Sequence, residues 1–200
     1  MEERAMKRQL AIALRFTLVT TILLGIGYPL LVTALSQALW RQKANGELIR
    51  QDGRLVGSHW IGQPFSGDAY FHGRPSAAGN GYDATASGGS NWSPSNEKLT
   101  ERVAAAVKAE QADGAVGPVP VDLVTASGSG LDPDITPFAA EFQAARVARA
   151  RHAEMGQVMA LIAQNTQERE FGLLGERRVN VLELNLALDR AFPLSSADQR

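Results

Sequence analysis

The chain has 200 residues, and its 20 Lys+Arg against 21 Asp+Glu leave a formal net charge of -1. That balance excludes a strongly basic nucleic-acid binder, and no run of like charge is long enough for a polyanion-binding arm. The absence of cysteine excludes a disulfide framework, a thiolate metal site and a cysteine nucleophile.

The head, residues 1–15, is short, basic and reads as helix. The stretch from Phe16 to Trp40, FTLVTTILLGIGYPLLVTALSQALW, contains no charged side chain. As helix it is long enough to cross a hydrocarbon core of about 30 Å, with Trp40 placed as an interfacial anchor. A cleaved signal peptide, with Ala34-Leu35-Ser36 or Ser36-Gln37-Ala38 as its cleavage site, calls for a shorter apolar region of about 7–15 residues. A buried core helix would need apolar partners on every side, and no other segment could surround this one. The stretch therefore reads as a retained membrane helix. Within it Gly25, Gly27 and Pro29 form a notch where a partner helix can pack closely in lipid, and Pro29 invites a kink. Arg4, Lys7, Arg8 and Arg15 before the span are matched by Arg41, Lys43, Arg50 and Arg54 after it, so charge does not orient it. The short head favours an N-terminus inside the cell and a translocated C-terminal domain.

About 155 residues remain, the size of a single domain. Leu48–Gln51 and Arg54–Gly57 about Asp52-Gly53 read as a hairpin. From Gly57 to Asn91 the chain is rich in glycine, proline and serine, and loops with short strands are expected, ordered by Trp60, Phe65, Tyr70, Phe71 and Tyr82. Ser93-Pro94 reads as a helix start, with Leu99, Val103, Ala106 and Val107 on one face and Asp113-Gly114 as the stop. Val121–Thr125 is a strand candidate. Thr136-Pro137 starts another helix, with Phe138, Phe142 and Ala145 on one face and Arg146, Arg149 and Arg151 on the rest. A helix follows from Glu154 to Gln164 with Val158, Leu161 and Ile162 inward. Asn180 and Glu183 have capping-box spacing ahead of VLELNLALD. The expectation is an α+β fold: a single N-terminal transmembrane helix over 16–40, one soluble domain over 41–192, and an unstructured tail over 193–200.

Few residues point to chemistry. His59, His72 and His152 are far apart and match no metal pattern. Ser95-Asn96-Glu97-Lys98 matches S-x-x-K of penicillin-recognising serine enzymes, but the companion K-T-G is missing; a membrane-anchored serine hydrolase using Ser95 and Lys98 is the alternative this motif keeps open. Two glycine-serine loops, Ser87-Gly88-Gly89-Ser90-Asn91 and Thr125-Ala126-Ser127-Gly128-Ser129-Gly130, could turn backbone N–H groups to an anion. Neither is a Walker-type loop, and no lysine is placed to meet a phosphate, so tight loops needing positive φ where backbones pack closely is the preferred reading.

Taken in order, GIGYPLLVT, YFHGRPSAAGNGYDATASGGSN, VPVDLVTASGSGLDPDITPFAAEFQAARVARAR and GERRVNVLELNLALD resemble the C subunit of the Kdp potassium-transporting P-type ATPase, the KdpC family. The resemblance runs from the span to Asp189; WSPSN departs from the more usual leucine-glycine-proline-like run. It implies a single-span, non-catalytic subunit of a cell inner membrane complex, needed for assembly and stability. The implied partners are a potassium-binding channel-like subunit, a P-type ATPase subunit and a small single-span subunit, beside the lipid bilayer; no nucleic acid is implied. It implies no cofactor of the chain's own. A catalytic-chaperone role has also been ascribed to the family, raising the ATP affinity of the ATPase subunit through the loop that is here Ser87, Gly88, Gly89 and Ser90. ATP would then be met only together with that subunit, and an extracytoplasmic domain could not reach it.

Overall fold

The computed structural model describes residues 2–112 and 117–194. They divide into two compact units, Met1–Leu48 and Ile49–Arg200, each considered by itself.

The first unit is built on one long helix, Glu2–Leu39, of 38 residues. It comprises α1 (Glu2–Thr20), a π-helical stretch Thr21–Gly27 and α2 (Tyr28–Leu39), and none of its residues is buried. The π stretch ends just before Pro29, where the sequence reading expects a kink. Proline has no N–H for the carbonyl four residues back, and the ladder just before it shifts register, Tyr28 N–H donating to Leu23 O. The Thr20 hydroxyl donates back to Phe16 O at 2.8 Å, which satisfies a polar group on an apolar helix. Trp40 breaks the helix at φ −138° and a short turn, α3 (Arg41–Ala44), follows. Asn45 and Gln37 close it with a reciprocal amide pair, both contacts at 3.1 Å.

The second unit opens with the expected hairpin, β1 (Leu48–Gln51) and β2 (Arg54–Ser58). Asp52 and Gly53 both adopt positive φ, 51° and 79°, as a two-residue turn of this hand requires. No strand forms between β2 and α4 (Glu97–Ala112); the short strands expected there are absent, and of the five aromatics only Phe71 is fully buried. α4 starts later than Ser93-Pro94 suggests. Ser93 Oγ caps a local turn at Ser95 N–H, 3.3 Å, and Asn96 accepts from Lys98 N–H at 2.9 Å at the helix start. The stop at Asp113-Gly114 lies outside the described residues.

Val121–Val124 is a helical turn, α5, where a strand was expected. Short apolar runs do not distinguish the two by pattern. Here Thr125 returns both its N–H and its hydroxyl to Val121 O, at 3.0 and 2.7 Å. Asp122 accepts from Thr136 N–H at 2.8 Å and so ties α5 to the start of α6.

β3 (Asp134–Ile135), α6 (Pro137–Ala150), α7 (Met155–Gln164), β4 (Thr166–Gln167), β5 (Arg178–Asn180) and α8 (Val181–Ala191) complete the fold. The three strands form an antiparallel sheet in the order β3-β5-β4, with Ile135 opposite Val179 and Thr166 also opposite Val179. Thr136 caps α6 as expected, its hydroxyl accepting from Ala139 N–H. Glu154 and Gln157 close a capping box on α7, and Asn180 caps α8 through Glu183 N–H. The core gathers Phe71, Val147, Val158, Ile162, Val179, Leu184 and Leu188. The buried face of α6 is not the expected one. Phe138 and Ala145 are exposed, and Ala139, Ala140, Gln143, Ala144 and Val147 face inward. Small alanines let neighbouring elements approach closely, and Phe142, half-buried, packs against the edge of this core. Pro193 and Leu194 have no regular structure, and the rest of the tail lies outside the described residues. The whole is an α+β fold with one long apolar N-terminal helix.

Candidate functional site

The irregular segment after β2 is held by side chains instead of by a strand ladder. Phe71 donates its N–H to Asn185 Oδ1 and accepts from Asn185 Nδ2, both at 2.9 Å. His72 repeats the pattern one residue on, donating to Gln143 Oε1 at 2.8 Å and accepting from Gln143 Nε2 at 3.1 Å. Two buried amides, one from α6 and one from α8, thus replace the backbone partners that buried N–H and C=O groups need.

Arginines complete the clamp. Arg146 Nη1 donates to the carbonyls of Gly67, Asp68 and Tyr70, and its Nη2 to Gln143 Oε1. Arg151 Nε donates to Ala69 O, its Nη1 to Phe192 O and its Nη2 to Asp189 Oδ1 at 2.7 Å, while its guanidinium lies 4.6 Å from the centre of the Tyr70 ring. Both arginines are buried, where the sequence placed them on the solvent face with Arg149. A guanidinium can saturate several carbonyls at once, and that is what makes its burial tolerable.

The glycine-serine loops meet each other. Gly88 N–H donates to Ser129 O at 2.8 Å and Ser87 Oγ to the same carbonyl at 3.0 Å. A Cβ on Gly89 would stand 3.1 Å from Gly128 O, and one on Gly130 only 2.6 Å from Gly88 O. Ser76 Oγ donates to Gly130 O at 2.6 Å and accepts from Tyr82 N–H at 2.7 Å. The Tyr82 hydroxyl donates to Arg74 O at 2.6 Å, and Arg74 pairs with Asp132 at 3.3 Å. Burial and the Asp132 carboxylate push the Tyr82 hydroxyl's pKa up. Ser87 is exposed, and Gly88, Gly89 and Ser90 are half-buried. The loop that sequence singled out is one side of a backbone-to-backbone contact.

The other candidates stand apart. Ser95 Oγ meets Ser93 Oγ at 2.9 Å, and Ser95 and Lys98 are both exposed. His59 Nδ1 lies 2.8 Å from Glu183 Oε1, His72 Nε2 2.9 Å from Gly67 O, and His152 is exposed. Among the described residues no group of three or more His, Asp or Glu side chains converges. Gly25, Gly27 and Pro29 lie in the π stretch and the first turn of α2, all exposed. No local sequence pattern marks the clamp residues Gln143, Arg146, Arg151, Asn185 and Asp189 as a set. The available signal was a polar residue amid an apolar helical face, as Asn185 is between Leu184 and Leu188.

Comparison with known proteins covers both units. A family-wide sequence profile described as "KdpC: K+-transporting ATPase, c chain" matches residues 10–190. A potassium-transporting ATPase KdpC subunit of Koribacter versatilis is 54% identical over 189 residues, 94% of this chain and 98% of the relative. Those of Acidobacterium capsulatum and Rhodospirillum rubrum are 57% identical over 178 residues and 52% over 192, covering 89% and 95% of this chain and 96% and 100% of theirs. With a match that runs through the apolar helix, the clamped segment and both glycine-serine loops alike, the chain belongs to the KdpC family of the K+-transporting ATPase.

Proposed function

We propose that this chain is a non-catalytic, single-span subunit of an ATP-driven potassium uptake pump, and that it serves the assembly and stability of the complex. The observation that carries the reading is the family match over residues 10–190. In keeping with it, the side chains of Ser87, Arg74, Arg146 and Arg151 hold loops in place. Its partners in this reading are the channel-like potassium-binding subunit, the P-type ATPase subunit and the small single-span subunit. Residues 1–15 face the cytoplasm, 16–40 cross the inner membrane with Gly25, Gly27 and Pro29 toward a partner helix, and 41–192 form the extracytoplasmic domain. Ser87–Ser90 then holds no nucleotide, and ATP meets only the ATPase subunit.

The test is to purify the pump through a tag on its ATPase subunit, with and without this chain. The proposal expects this chain in the eluate, and poor recovery of the channel-like subunit when it is omitted. A fully active complex of normal yield without it would refute the assembly role. A cysteine at Ser90 labelled by an impermeant thiol reagent in intact cells supports the extracytoplasmic side; labelling only after lysis would instead favour the nucleotide-linked role of the Ser87–Ser90 loop.

A further inference from the structure

The connection between β4 and β5 ends in three large apolar side chains turned to solvent. Phe171, Leu173 and Leu174 are 91%, 81% and 62% exposed, and they are neighbours at one tip. Soluble domains rarely leave such a cluster uncovered unless something binds it.

The tip is built, and its support runs rung by rung from the sheet. Thr166 pairs with Val179 and Gln167 with Arg178 in the ladder. Next, Arg177 reaches Glu168 at 2.8 Å and Arg169 reaches Glu176 at 2.7 Å. Above these, Glu170 bridges Leu174, with N–H to carbonyl contacts of 2.9 Å in both directions. Gly172 N–H returns to Arg169 O at 3.0 Å and Leu173 N–H to Glu170 O at 3.1 Å. Phe171 itself holds φ at 54°, a left-handed backbone that is strained for a bulky side chain. A strained residue whose ring touches little of its own chain is placed for something outside it.

The collar below the tip decides among occupants. Residues 168–178 carry Glu168, Glu170 and Glu176 against Arg169, Arg177 and Arg178, three charges of each sign. Four of them are paired with each other, and Arg178 reaches Asp134 at 3.2 Å. A segment that docks on an anionic lipid surface carries unpaired basic residues; this one has no net charge to offer. An aromatic anchor ringed by paired polar groups is instead the layout of a protein–protein hot spot. We propose that Phe171, Leu173 and Leu174 form a docking peg that seats in an uncharged apolar crevice of another polypeptide of the potassium-transporting ATPase. The proposal rests on the reading of this chain as a pump subunit.

The test places the photoreactive residue p-benzoylphenylalanine at position 171 or, for comparison, at position 138, where Phe138 is an exposed residue of α6. The complete pump is irradiated in membranes and purified through a tag on the ATPase subunit. An adduct from position 171 to one identified subunit of the pump, several-fold stronger than from position 138, is the expected result. An adduct to lipid alone, to a second copy of this chain, of equal yield from both positions, or none at all would overturn the peg. A wild-type chain missing from the eluate would overturn the subunit reading, and the peg with it. A companion variant, Phe171→Ser with Leu174→Ser, removes little from the domain's own packing. It should lower recovery of the chain in detergent by roughly tenfold, as loss of a central anchor does, and unchanged recovery counts against the peg.

Discussion

Asn185 brackets Phe71, accepting from its N–H and donating to its carbonyl, each at 2.9 Å. Both residues are buried, Phe71 at 0% exposure and Asn185 at 1%. One side chain therefore does for this loop what a neighbouring strand does in a sheet. Asn185→Leu keeps the volume and removes both partners. Two buried backbone groups left unpaired cost about 2–4 kcal/mol together, or roughly 5–15 °C in Tm for a domain of this size. Thermal unfolding of the full chain in detergent checks it. An unchanged Tm would mean the segment finds other partners and the bracket is dispensable.

Gly88 and Gly130 sit on opposite sides of the loop-to-loop contact, and the prediction for them diverges. A Cβ on Gly130 would lie 2.6 Å from Gly88 O and 2.7 Å from Ala78 N, at a φ of +68°. Gly130→Ala thus combines overpacking against backbone with a strained conformation, a loss of about 2–4 kcal/mol. A Cβ on Gly88 meets nothing within 4 Å, so Gly88→Ala should stay within about 0.5 kcal/mol of wild type. The pair also tests the nucleotide-linked role. If the loop's backbone cradled phosphate, Gly88→Ala would change the ATP dependence of the pump without changing stability; the expected outcome is no change in either.

What was legible in the sequence follows how local each signal is. The long apolar helix, the Asp52-Gly53 turn and the caps at Thr136 and Asn180 depend on residues a few positions apart, and all are found. The two- and three-residue strands β3, β4 and β5 were missed, because each is defined only by a partner distant in sequence. Arg146 and Arg151 were misplaced for a related reason. Arginine belongs on the surface unless carbonyls surround it, and the carbonyls here come from residues 67–70, some 80 positions earlier. The glycine-serine loops admit both an anion cradle and the preferred close-packing reading, because glycine's two uses, offering N–H groups and admitting a close backbone, leave the same mark on a sequence. Only the approach of Ser129 O to Gly88 N–H tells which use operates at that residue.

Asp134 links stability to pH. Burial and the neighbouring Asp132 carboxylate raise its pKa above the ordinary 3.8, opposed by Arg178, His59 and a hydrogen bond from Asn180. The folded chain therefore holds the Asp134 proton more tightly than the unfolded chain does. Stability from this group is greatest below the ordinary carboxylate value and is lost as pH rises through the folded value. Asp134→Asn cannot ionise, so it should unfold at a higher temperature than wild type at neutral pH. The difference should shrink to nothing as the solution is acidified below the carboxylate range. A gain that persists in acid would show that the asparagine acts by packing and not by removing a charge.

The last prediction concerns the helix that the chain itself leaves uncovered. A Cβ at Gly25 would meet only Thr21 Cγ2 at 3.7 Å, and one at Gly27 only Ile22 O at 3.4 Å. The protein's own structure thus has room, or nearly so, for a side chain at either position. Any damage from one must come from a neighbour outside the chain. In lipid, helices gain little from the hydrophobic effect on association, and close packing carries much of the affinity. Overpacking such a contact costs about 1–3 kcal/mol, roughly a ten- to hundredfold loss in association constant. Gly25→Leu and Gly27→Leu should therefore reduce co-purification with the channel-like subunit while leaving the chain in the membrane fraction. Leu24→Ile, a volume-neutral change at an exposed residue, should leave recovery unchanged. If both glycine variants are recovered normally, the notch has no partner and the domain alone holds the chain in the complex.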